Sequence, residues 1–112
     1  MFVDDPTRLK HMRDAATEAV EFVSGKTKDD IDSDGMLYHA IKDCITTVGE
    51  AAYKVSREFQ DSHPEIPWRR LIRFRHELVH DYFRIDTDVM WDTVMKSFPE
   101  LIRQLQAVIE NE

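Results

Sequence analysis

Residues 37–55 read LYHAIKDCITTVGEAAYKV, and their periodicity decides the fold class. Leu37, Ile41 (or Ala40), Cys44, Val48, Ala51, Ala52 and Val55 recur at steps of three and four. That spacing makes one stripe on an α-helix, whereas a strand would need steps of two. The helix is expected to begin within residues 30–34 and to run to about Val55. Gly49 inside it costs roughly 1 kcal/mol relative to Ala, unless another helix packs close there.

The same period extends in both directions. Upstream, Asp5 reads as an N-cap and Pro6 as the first helical residue. Leu9, Met12, Ala16, Ala19, Val20 and Val23 then form an apolar face, and Gly25 is placed to end that helix. Downstream, Ser56 is expected to cap a short turn through Asp61. His63-Pro64-Glu65-Ile66-Pro67 forms a rigid connector, because each Pro holds its predecessor extended. Pro67 opens a third long helix from Trp68 to about Tyr82. Asp86 or Thr87 caps a fourth, with Val89, Met90, Val94, Phe98, Leu101, Ile102, Leu105 and Val108 as its apolar face. Pro99 inside that pattern must bend the helix or restart it with Ser97 as a new cap. The Met residues, Trp68 and Trp91 are expected in the core. No stretch alternates long enough to suggest a sheet. The expected fold is all-α, a four-to-five-helix antiparallel bundle.

The chain has 112 residues, which suits a single domain over 1–112 with a modest core. An exposed apolar face would favour a dimer or another partner. No run reaches the roughly 18 apolar residues of a membrane span. The N-terminus lacks the pattern of a signal peptide. A cytoplasmic location is expected by default. Cys44 is the only cysteine, so no internal disulfide can form, and it reads as a small buried apolar residue.

The net charge is −7, which argues against generic nucleic-acid binding. The charge is uneven, however. Residues 63–84 carry Arg69, Arg70, Arg73, Arg75 and Arg84 against three acids, a local excess of +2, while the remainder carries −9. His63, His76 and His80 share that window. Its arginines are either a solvated helix face or an anion site.

Two chemistries overlap at residues 75–82, Arg-His-Glu-Leu-Val-His-Asp-Tyr. His76-Glu77-x-x-His80 is the zinc-hydrolase pattern, with two ligands one helical turn apart and Glu77 to polarise a bound water. A third protein ligand is required. The extended motif would place Gly at position 83 and His at 86, where this chain has Phe83 and Asp86. Glu100 follows Pro99 in an ordinary helix-start context.

The second pattern, Arg75-x-x-x-x-His80-x-Tyr82, needs no metal. RNA is cut when its 2′-hydroxyl attacks the adjacent phosphodiester. His80 suits the base that removes the proton, and Arg75 suits the cation that holds the phosphate. On a straight helix the two lie about 140° apart. Either the helix ends near His80, or two chains contribute across a two-fold axis. Arg75 and Tyr82, seven residues apart, share a face. Structural alternatives are a pairing of Arg75 with Asp81 or Glu50, an interface role for His80, and simple packing of Tyr82.

Further segments join this octet: Arg13-Asp14-Ala15-Ala16, Val48-Gly49-Glu50-Ala51, His63-Pro64-Glu65-Ile66-Pro67-Trp68, Trp91 and Phe98-Pro99-Glu100-Leu101. With them, nearly the whole chain resembles the HepT-like family of the HEPN superfamily. The resemblance implies a helical homodimer that is the ribonuclease toxin of a toxin–antitoxin pair, acting on tRNA or other RNA. It implies Arg75 and His80 as catalytic residues; His76, Arg73 and Arg70, which lie in the basic window, are expected to support RNA binding. It also implies a partner, a minimal nucleotidyltransferase antitoxin that transfers AMP from ATP onto Tyr82. ATP and Mg²⁺ would serve that partner, and this chain would need no cofactor and no metal. The family often has Gly or another small residue where this chain has Asp81, an acid that repels phosphate beside the proposed base. That departure motivates an alternative, a non-catalytic module that docks a nucleotidyltransferase.

Overall fold

Asp4 starts the first helix. Its carboxylate accepts the Thr7 backbone N–H at 3.0 Å, and helix α1 runs Asp5–Val23. The computed structural model describes residues 4–80 and 86–111. The cap lies one residue earlier than the Asp5-Pro6 pattern suggested. Asp5 is engaged elsewhere: its carboxylate accepts the Ser56 backbone N–H at 2.9 Å and the Ser56 hydroxyl at 2.6 Å. Gly25 has φ +75°, the left-handed conformation that ends a helix cheaply only at glycine.

A short helix that the apolar pattern did not reveal, α2 (Lys28–Ser33), precedes the long central one. Six residues are too few to display a period. Helix α3 spans Gly35–Lys54. Asp34 caps it, accepting the backbone N–H groups of Met36 at 3.0 Å and Leu37 at 3.2 Å. Replacing Asp34 with Ala should therefore cost about 1 kcal/mol of unfolding free energy. Urea titration checks this, and an unchanged midpoint would show that the cap contributes nothing.

Ser56 caps α4 (Arg57–Ser62), its hydroxyl accepting the Phe59 N–H at 3.2 Å. The connector follows, and the Trp68 indole N–H donates to the His63 carbonyl at 2.9 Å. This bond fastens the start of α5 (Trp68–His80) to the end of α4. Asp86 caps α6 (Thr87–Asp92), accepting the Asp88 N–H at 2.8 Å. The Thr87 hydroxyl donates to Asp32 at 2.6 Å and ties α6 to α2.

Thr93–Ser97 then form a π-helical turn that leads into α7 (Phe98–Glu110). The Phe98 N–H reaches back to the Thr93 carbonyl. Ser97 makes no side-chain capping bond, so α7 is not restarted in the expected way. The wider turn takes up Pro99, which has no N–H to donate.

All assigned elements among the described residues are helical. Helix α3 packs between α1 and α5, and α7 packs against α1. The Asp5–Ser56 bonds join the start of α1 to the chain just beyond α3, so these two helices run antiparallel. The core holds Leu9, Met12, Ala16 and Ala19 of α1, Ile41 and Val48 of α3, and Phe98, Leu101 and Leu105 of α7. Trp68 and Met90 are buried, and Trp91 is partly buried against the core. Met36, Val89 and Met95 are exposed, against expectation. Met36 stands in the first turn of α3, Val89 in α6 and Met95 within the π-turn, so residue spacing alone did not fix the direction in which they point. No helix among the described residues is long and apolar enough to cross a membrane.

Cys44 is buried, and its Sγ donates to Glu18 Oε1 at 3.6 Å. Burial, then the nearby Glu18 charge, push the thiol up to about 12. Only the thiolate is a good nucleophile. Iodoacetamide at pH 8 should leave Cys44 unmodified in the folded chain and alkylate it in urea. Rapid labelling of the folded chain would contradict this burial.

Candidate active site on helix α5

Helix α5 is an edge helix, and only Trp68, Leu71 and Leu78 among its thirteen residues are buried. Its inner side meets α3 at one unusually close point. A Cβ built on Gly49 would lie 2.2 Å from Arg75 Cβ and 2.7 Å from the Leu71 carbonyl oxygen. The two backbones thus approach more closely than any side chain at position 49 permits. The roughly 1 kcal/mol cost of Gly within a helix is offset by this contact.

The same contact seats Arg75. Its stem lies against α3, and its Nε is shielded from solvent without a hydrogen-bond partner among the described residues. Glu50 does not pair with it and instead meets Lys54 at 3.4 Å. Asp81, the other carboxylate considered for Arg75, lies outside the described residues, as does Tyr82. A buried donor left unpaired costs about 1–3 kcal/mol, so Arg75 favours any acceptor brought to it.

The outer side of α5 carries Arg69, Arg73, His76 and His80 at steps of four, three and four, all exposed. The rings of His76 and His80 lie 4.4 Å apart between centroids, tilted by 46°. Two imidazoles at this separation could share a metal ion. Among the described residues, however, no group of three or more His, Cys, Asp or Glu side chains could hold one. Glu100, the downstream carboxylate, pairs with Arg103.

Because α5 stays helical to His80, Arg75 and His80 face different sides, about 140° apart. Within one chain, helix geometry does not point both at one phosphate. Arg70, Arg73 and His76 converge instead with Arg69, Tyr53 and Arg57 on an open groove of about 1380 Å³. Tyr53 and Arg57 were not singled out in the sequence. They come from the end of α3 and the start of α4, and no local motif marks them.

The family described as "Ribonuclease HepT-like" matches residues 12–108. The chain belongs to that family. As a HepT-like protein it is a ribonuclease. A protein of Caldanaerobacter subterraneus subsp. tengcongensis named "Putative RNase TTE0752" is 29% identical over 104 residues, covering 93% of each chain. "Probable ribonuclease HepT" of Thermococcus cleftensis is 35% identical over 88 residues, covering 75% of this chain and 80% of that one. "Putative RNase MJ0127" of Methanocaldococcus jannaschii is 27% identical over 103 residues, covering 92% and 82%. No solved structure matches this HepT-like chain.

Proposed function

We propose that this chain, a single HepT-like helical domain, is a metal-independent endoribonuclease toxin that works as a homodimer. The observation that carries the reading is the seating of Arg75. A permanently charged side chain has a buried Nε without an acceptor among the described residues, on the same helix as an exposed His80. In a dimer with α5 helices side by side, Arg75 of one copy and His80 of the other border one groove. The RNA 2′-oxygen gives its proton to His80 and bonds to phosphorus. The bond from phosphorus to the 5′-oxygen breaks, and that oxygen takes a proton from the second copy's His80. The products are a 2′,3′-cyclic phosphate and a 5′-hydroxyl. Arg75 holds the phosphate oxygens as negative charge builds on them. His76, Arg73 and Arg70 support the strand.

The substrate class is tRNA or another structured RNA. The regulating partner is a nucleotidyltransferase antitoxin that uses ATP and Mg²⁺ to place AMP on Tyr82. A bulky anion there would occupy space that RNA phosphate needs. The site acts without a cofactor of its own, and the toxin works in the cytoplasm.

The test is cleavage of total tRNA by the purified chain in excess chelator. Loss of RNA is the expected result. Intact RNA from a chain whose mass shows Tyr82 unmodified would favour the second reading, a docking module without catalysis, which the acid at position 81 favours. Stoichiometric zinc in the purified protein, with activity lost on chelation, would restore the zinc-hydrolase reading.

A further inference from the structure

We propose that the groove between the end of α3, α4 and the first half of α5 binds an unpaired stretch of RNA next to the cleavage site. Tyr53 stacks on a base, and Arg57, Arg69 and Arg73 hold phosphates. The inference rests on the ribonuclease reading and adds to it the form of RNA that is gripped.

Charge is the first argument. The groove gathers Arg57, Arg69, Arg70 and Arg73 with His76, against Asp61, on a chain whose net charge is −7. Four permanent cations to one carboxylate give the groove a sign opposite to that of the molecule as a whole. Such local reversal concentrates a polyanion at one place.

Size is the second. About 1380 Å³ exceeds the roughly 300–1,000 Å³ typical of small-molecule pockets. An open trough of this size suits a segment of polymer more than a free nucleotide.

The third is the ring on its wall. Tyr53 is 70% exposed, a large amphipathic surface left in water beside the arginines. Aromatic rings interleaved with cations are how single strands are held, because every base has a face to stack. Bases in a duplex are already stacked and offer no such face.

The last is continuity. His76 lines the groove, and its ring lies 4.4 Å from that of His80. From Arg69 to His80 the helix advances about 16 Å at 1.5 Å per residue. A strand laid along this row therefore ends at the proposed base.

The probe is fluorescein-labelled 2′-O-methyl oligo(U), which lacks the attacking hydroxyl and is bound without being cut. Its affinity for the native chain is compared with that of the same strand annealed to oligo(A). The single strand should bind more tightly. Tyr53→Ala should weaken its binding roughly 5- to 150-fold, while Tyr53→Phe keeps it near the parent value. Arg57→Gln should reduce the slope of log affinity against log salt by about 0.7. Parent-like binding by both Tyr53→Ala and Arg57→Gln, in a chain that still cleaves tRNA, overturns the groove and spares the ribonuclease reading. Equal affinity for duplex overturns the preference for unpaired RNA. A parent chain that neither binds the probe nor cuts tRNA overturns both. If these substitutions weaken only the binding of a nucleotidyltransferase, the groove docks protein and the proposal fails.

Discussion

Replacing His80 with Ala should lower RNA cleavage in excess chelator by about 10²- to 10⁴-fold, the contribution of a positioned general base. The fold should survive. The His80 side chain is exposed, and its ring lies 4.4 Å from that of His76. Surface changes of this kind usually shift stability by less than about 0.5 kcal/mol. Circular dichroism and a thermal melt run beside the cleavage assay separate lost chemistry from lost structure. If catalysis uses one His80 from each copy, mixed dimers of parent and variant should also be impaired. Cleavage by the His80→Ala chain at the parent rate would place the chemistry elsewhere.

Gly49→Ala is the second large effect, and two forces oppose each other there. Alanine favours the helix by roughly 1 kcal/mol. Overpacking in a tight contact costs about 1–3 kcal/mol, occasionally more. The neighbours decide the balance. They are the Leu71 carbonyl at 2.7 Å and Arg75 Cβ at 2.2 Å, both fixed to the α5 backbone. Neither can rotate away, so the helices must separate. A net loss of about 1–2 kcal/mol in stability is expected, read from the urea midpoint. Activity should fall further than stability, because Arg75 moves with α5 and a misplacement of about 1 Å can cost 10²-fold. A Gly49→Ala chain as stable and as active as the parent would show that the α3–α5 contact yields freely.

Much of this architecture is legible in residue spacing. The stripes on α1, α3 and α7 follow from apolar steps of three and four, and Gly49 announces close packing because nothing else justifies it in a helix interior. Three features were not legible, for separate reasons. Helix α2 is too short to show a period. The cap of α1 shifts from Asp5 to Asp4 because Asp5 bonds to Ser56, 51 residues away, a contact that no local pattern encodes. The π-turn at Thr93–Ser97 absorbs Pro99 within the backbone, where side-chain type carries no signal. The candidate site divides in the same way. Arg75, His76 and His80 fall within one octet and can be read in a line. Tyr53 and Arg57 meet the octet's helix only after the chain doubles back through α4 and the connector.

The notch at Gly49 also limits how this protein can be controlled. With Arg75 Cβ and the Leu71 carbonyl fitted into a gap that admits no methyl group, α5 can neither roll about its axis nor slide along α3 without collision. The two helices are thus keyed together and must travel as one rigid piece. If AMP on Tyr82 silences the chain as proposed, that event is not transmitted by twisting the helix. It must act by steric occlusion where it occurs, so an inhibited chain should keep the bundle geometry of the active one.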